Sequence, residues 1–276
     1  MDNVNDFFAT LSSCLWGWPM IILLLGTHIF LTIRLRFPQR KIITAIRLSV
    51  QRDKSQKGDV SQFGALATAL AATIGTGNII GVATAVALGG PGAVFWCWLT
   101  GVFGISTKYS EALLAIKYRV KSKKGTMQGG PMYTLERGLG WRKMGILFAL
   151  FTAIAAFGIG CTVQANAIST IMHASYGIST SVSGGVLMLL AAAVIIGGVR
   201  SISKVCSMLV PFMALLYVLG CIYILCVNSG YVAPALKLIV CSAFSPDAAG
   251  GGFAGASVIM AARYGIARGL FSNESG

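Results

Sequence analysis

The sequence predicts an all-α membrane protein with about seven bilayer-crossing helices, and three observations predict it. Of 276 residues, 55% are hydrophobic and 11% charged, against roughly a quarter charged in an ordinary soluble domain, so too little polar surface exists to face water on every side. Several apolar runs approach or exceed the ~20 residues that a helix needs to cross a hydrocarbon core of about 30 Å. The basic residues are gathered in loops: of 22 Lys and Arg, eight lie between Arg34 and Lys57 and eight between Lys117 and Lys143.

The first run, Leu15–Ile33, is expected to stay as a helix. The fourteen residues before it hold Asp2 and Asp6 but no basic residue, and the run is too long for the core of a cleaved signal peptide. Further spans are expected at Gln62–Leu88, Ala93–Ile116, Met144–Met172, Val182–Val199, Val205–Val227 and, interrupted by glycine, from Pro246 to Phe271. Gly125–Leu139 reads as a turn and a short amphipathic segment at the surface, and Pro234–Phe244 as a similar surface helix on the other side. Residues 1–276 then form a single transmembrane domain.

Threading these spans alternately places the two basic clusters, Arg200 and Lys204 on one side, while Lys237 is the basic residue of a loop on the other. Cytoplasmic loops carry such an excess. The expected arrangement is therefore a multi-pass protein of the cell (inner or plasma) membrane, N-terminus outside and long basic loops cytoplasmic. The same distribution argues against nucleic acid as the partner of a +14 chain, because the charge lies in loops rather than on one face. Two histidines, His28 and His173, and no HExxH motif leave little catalytic material, so no enzyme is expected. Few charges inside the spans and no filter-like repeat argue against a channel. The seven cysteines show no CxxC spacing; Cys14 and Cys241 are the pair that the topology would allow to bridge on the outer side.

Near the midpoint of the second span stands Gly75-Thr76-Gly77-Asn78. Glycine weakens a helix by about 1 kcal/mol relative to Ala, and an unpaired amide in hydrocarbon costs several kcal/mol. Unwound backbone at mid-membrane would account for the set. Amides at the new N-terminal end can hold a carboxylate, while carbonyls at the preceding C-terminal end can coordinate a cation. The other account is a packing motif in a continuous helix, with Asn78 bonded to a neighbour. The seventh span carries Gly250-Gly251-Gly252 and Gly255, either a second break or an extracellular loop. Paired interrupted spans point to a transporter's binding site.

Five blocks, FGALATALAATIGTGNIIGVATAVALGGPGAVFW (Phe63–Trp96), KYSEALLAIKYR (Lys108–Arg119), GGPMYTLERGLG (Gly129–Gly140), VQANAI (Val163–Ile168) and RYGIARGLFSNESG (Arg263–Gly276), resemble the alanine or glycine:cation symporter family. The resemblance covers nearly the whole chain from about residue 15. It implies a LeuT-like fold of two inverted five-helix repeats, here one extra helix, the first repeat and the start of the second, with the second and seventh spans as the discontinuous pair. It implies symport of a small neutral amino acid, alanine or glycine, with sodium as the co-transported ion and a proton as the alternative.

By the same resemblance, amides of Thr76 and Gly77 would bind the substrate carboxylate, Asn78 and the Thr73 carbonyl one sodium ion, and the Ala71 and Ile74 carbonyls a second. Gln164 would contact substrate, although an interhelical hydrogen bond would equally satisfy its amide; Asn166 lies on roughly the opposite helical face. Gly252, Phe253, Ala254 and Gly255 would surround the substrate side chain. Lys108 and Glu111, one turn apart, read as a snorkelling ion pair before a gate, and His28 as a packed histidine before a proton carrier. Family members continue for several more helices beyond the point that matches Gly276, so a fragment unable to transport alone is the alternative expectation.

Overall fold

A computed structural model describes residues 6, 7, 10, 11, 14, 15, 17–51, 59–123, 125–156, 158, 162–244 and 258–272. Helix α1, Trp18–Arg34, carries a proline in its first turn, where the missing amide would have had no partner. After it Arg36 and Phe37 adopt left-handed φ of 56° and 59°. The chain thereby turns by 62° into a helical segment over Pro38–Val50, a 3₁₀ turn Pro38–Lys41 followed by α2, Ile42–Val50.

The second expected span is built as α3, Gln62–Thr73, and α4, Thr76–Gly89. Next come α5, Gly92–Lys117, and a hairpin of β1, Val120–Lys121, and β2, Met127–Gln128, with Val120 opposite Gln128. Helices α6, Pro131–Gly138, α7, Arg142–Ala155, α8, Val163–Tyr176, and α9, Thr180–Ile195, lead to the 30-residue α10, Gly198–Val227. Two more follow, α11, Ser229–Phe244, and α12, Val258–Ser272.

Among the described residues two helical stretches are long and apolar enough to cross a membrane, Gln62–Gly89 and Gly198–Val227, or three if the bent pair of α1 and the segment after it counts as one. The other expected spans differ from that standard for identifiable reasons. Helix α5 has the length at 26 residues, but Lys108, Glu111 and Lys117 fall in its second half. Where one span is expected over 144–172, the chain forms α7 and α8 with π-type turns at Ala156, Gly158 and Thr162 between them. Glycines inside that stretch lower the cost of leaving the α-helical ladder. The helix expected at Pro234–Phe244 starts earlier, at Ser229, with Pro234 inside it. Of the seventh span, α12 is seen and residues 246–257 lie outside the described residues.

The chain divides into two compact units. One comprises Met1–Ile42, Gly77–Lys108 and Leu215–Ser275. Its apolar centre is Ile21 with Ala262 and Ile266, flanked by Leu25 and Trp96, so that α12 sits between α1 and α5. Gly265 permits this: a Cβ there would stand 2.7 Å from the Trp96 Cβ, and small residues let helix backbones approach closely in lipid. A buried polar cluster joins α1 to α5. His28 Nδ1 lies 2.6 Å from Thr107 Oγ1, and Thr32 Oγ1 lies 2.8 Å from Ser106 Oγ. Gln39 Nε2 donates to Ser106 Oγ and to the Val102 carbonyl, both at 3.0 Å. His28 is thus a packed, hydrogen-bonded histidine. Cys14 and Cys241 are both free thiols, so the conceivable bridge is not formed.

The other unit comprises Ile43–Thr76 and Tyr109–Ala214. Gly64 of α3 lies so close to α10 that an added Cβ would overlap the Ser203 hydroxyl. Gly145 of α7 similarly abuts the Met132 carbonyl of α6, 2.8 Å from where a Cβ would be. Ahead of α3, Asp59 Oδ2 accepts a hydrogen bond from the Met127 amide at 2.9 Å, tying the entry of α3 to the hairpin.

Candidate functional site: a turn inside an apolar helix

Helix α3 begins with a conventional cap: Ser61 accepts from the Gly64 amide at 3.0 Å. Along it Thr68 and Thr73 return their hydroxyls to the carbonyls of Gly64 and Ala69, at 2.7 and 3.0 Å. This satisfies each hydroxyl without a second helix, and it tends to bend the helix that does it. The α3 ladder ends at Ile74, whose φ of −82° and ψ of 72° lie outside the helical region. Those angles, with the Gly75 amide donating to the Thr73 carbonyl at 3.0 Å, describe an inverse γ-turn centred on Ile74. In a continuous helix that amide would have bonded the Ala71 carbonyl. Helix α4 then restarts at Thr76.

A turn at this point creates two helix ends in the interior of one 28-residue apolar stretch. The amides of the first turn of α4, those of Thr76 and Gly77 among them, have no carbonyl within α4 to bond. The end of α3, with the Ala71, Thr73 and Ile74 carbonyls, carries the negative pole of its dipole, and the start of α4 the positive pole. Carbonyl and amide oxygens are the hard donors an alkali cation prefers; a carboxylate suits the opposite end. Asn78, in the first turn of α4, is half-buried, as are Ala71, Thr73 and Ile74.

Gln164 stands in the first turn of α8, half-buried. Its amide faces the turn: a Cβ placed on Gly75 would lie 3.5 Å from Gln164 Nε2 and 3.8 Å from Oε1. Gly75 therefore leaves the amide room at the point where the ladder is interrupted. Asn166 is exposed, and its Oδ1 accepts from Thr170 Oγ1 at 3.0 Å. Gly252, Phe253, Ala254 and Gly255 lie outside the described residues. Among the described residues no three His, Cys, Asp or Glu side chains gather as a metal-holding group.

Sequence reasoning placed the interruption at residues 75–78; it begins at Ile74, and Gly75 was not singled out for its neighbour. The signal was present, a glycine and a glutamine each near mid-span, but their adjacency could not be read from either span alone. The π-type turns that precede Gln164, at Ala156, Gly158 and Thr162, depart from the single α-helix expected over 144–172; Gly158 and Gly160 in an apolar run were their sequence signal.

Long apolar helices, one of them opened by a turn, together with the basic loops, define a helical membrane protein. Comparison with known proteins makes this specific. The profile of the sodium:alanine symporter family matches residues 1–276, and the chain belongs to that family. The family is one of transporters, not of enzymes. An uncharacterized transporter of Haemophilus influenzae is 51% identical over 276 residues, covering 99% of this chain and 60% of its own length. The sodium/alanine symporter AgcS of Methanococcus maripaludis is 50% identical, covering 100% of this chain and 61% of its own length. A putative sodium/proton-dependent alanine carrier protein, YrbD of Bacillus subtilis, is 41% identical, with 98% and 55% covered. The chain thus spans a little over half the length of the curated relatives it matches.

Proposed function

We propose that the protein containing this chain carries a small neutral amino acid, alanine or glycine, across the cell membrane together with sodium, on a LeuT-like scaffold of inverted repeats. The observation that carries this is the turn at Ile74–Gly75 inside the apolar stretch Gln62–Gly89. Family membership and the relatives' names support cation-coupled amino-acid symport. In this account Thr76 and Gly77 present amides to the substrate carboxylate, Gln164 orients the substrate, and Gly252, Phe253, Ala254 and Gly255 limit its side chain. Asn78 and the Thr73 carbonyl receive one sodium ion, and the carbonyls of Ala71 and Ile74 receive another. The basic loops face the cytoplasm and the N-terminus the outside.

Transport in such a scheme follows from linkage. Ion and carboxylate sit at opposite poles of the same turn, so each stabilises the ordered turn for the other, and coupling is reciprocal. The test is uptake of labelled alanine and glycine into vesicles holding the protein in its full encoded length, with sodium and proton gradients imposed separately. Saturable uptake that requires the sodium gradient is expected. Uptake driven equally well by protons alone defeats the sodium assignment, and flux without saturation defeats the symporter reading.

A further inference from the structure

The geometry points to α2 as an in-plane anchor whose partner is a membrane surface bearing anionic lipid headgroups. The nine residues of α2, about 13 Å of helix, are too few to cross a bilayer. Yet Ile42, Ile43, Ile46 and Val50 fall within about 100° of one another around the helix axis and are 47%, 80%, 59% and 61% exposed. Among these residues none is buried by the rest of the chain. Ser49, at the margin of that arc, turns its hydroxyl back to the Ala45 carbonyl at 2.9 Å, leaving no donor to be satisfied from outside.

Charge selects the partner. Between residues 34 and 51 stand Arg34, Arg36, Arg40, Lys41 and Arg47, with no acidic residue. Arg47 lies about 40° beyond the Ile43 edge of the apolar arc, where a long basic side chain keeps an apolar stem in hydrocarbon and a charge among headgroups. The Arg40 guanidinium lies 5.4 Å from the centre of the exposed Phe37 ring. A second copy of this chain would bring the same cations against these and be repelled. Continuity selects the location. Three residues, Leu35–Phe37, separate the end of α1 from the 3₁₀ turn that opens the segment, and they reach at most about 10 Å. A helix tethered so closely to α1 stays at the level where α1 ends.

The test is photo-crosslinking of the full-length protein in its native membrane, with benzoylphenylalanine introduced singly at Ile43, Ile46 and Thr44 and adducts identified by mass spectrometry. Lipid adducts are expected at Ile43 and Ile46 and not at Thr44, with acidic phospholipid over-represented among them. Arg40→Gln with Lys41→Gln and Arg47→Gln should lower that acidic share about threefold or more, since each basic residue near an anionic surface adds to the attraction. Because all three side chains are exposed, the variant keeps its fold, and unchanged adducts at Ile43 with zwitterionic lipid serve as the check. Adducts at Ile43 to another segment of the same protein, or to a second copy, overturn the proposal, as does labelling at Thr44 equal to that at Ile43.

Discussion

The two stretches that meet the standard of a membrane span behave in opposite ways. Gly198–Val227 contains Pro211 and runs on as a single helix of 30 residues, whereas Gln62–Gly89 contains no proline and is opened by a turn. In α10 the proline withholds one amide from the Ser207 carbonyl, and the helix absorbs the loss. One turn earlier, Ser207 bonds its hydroxyl to the Ser203 carbonyl at 2.7 Å. In α3 and α4 two hydrogen-bonding ladders end and begin at the same place, with Gln164 alongside. The difference teaches that an isolated breaker is tolerated as packing, while a cluster of small and polar residues with a neighbouring amide makes a place for charge.

Ways to sharpen that contrast follow in order of expected effect. Asn78→Ala should reduce sodium-dependent uptake at least tenfold and leave sodium-independent background untouched; wild-type ion dependence would count against the ion site. Gln164→Ala should raise the KM for the amino acid about tenfold, the loss of one hydrogen bond to a charged or polar group, with sodium dependence retained. An unchanged KM would make Gln164 a packing residue. Gly75→Ala should raise KM about threefold: its Cβ would meet the Gln164 amide at ordinary contact distance, while alanine favours a continuous helix by about 1 kcal/mol.

At the supporting end of α3, Gly64→Ala should cost about 1 kcal/mol of stability by overpacking. Ser203→Ala in the same chain should restore it by removing the hydroxyl that the added Cβ would meet, measured by thermal unfolding in detergent. Pro211→Ala is expected to do least, leaving uptake within about twofold of wild type. A large loss there would show that α10 also moves during transport, and the contrast between the two stretches would collapse.

Much of this was legible in the sequence, and the exceptions have physical causes. Helix type and approximate position followed from apolar runs, since in lipid the backbone must satisfy itself. The interruption of the second span was foreseen from Gly75-Thr76-Gly77-Asn78. Its onset at Ile74 was not, because a β-branched residue in an inverse γ-turn leaves no compositional mark. The π-type turns between α7 and α8 escaped because Gly158 and Gly160 sit among alanine, phenylalanine and isoleucine, where small residues read equally well as close packing. Most hidden was the adjacency of Gly75 and Gln164. Contacts between residues 89 positions apart depend on how helices lie together, which no local pattern encodes.

The hydroxyls and imidazole that join α1 to α5 set the axial register of the first helix. His28 and Thr32 are one turn apart on α1, and their partners Thr107 and Ser106 are consecutive on α5. Leucine and isoleucine surfaces would glide past each other with little penalty, but a shift of one 5.4 Å pitch would sever both contacts simultaneously and take the His28 imidazole away from Thr107. Tilting about that point preserves them. The leading helix is therefore free to rock against its neighbour and forbidden to slide along it.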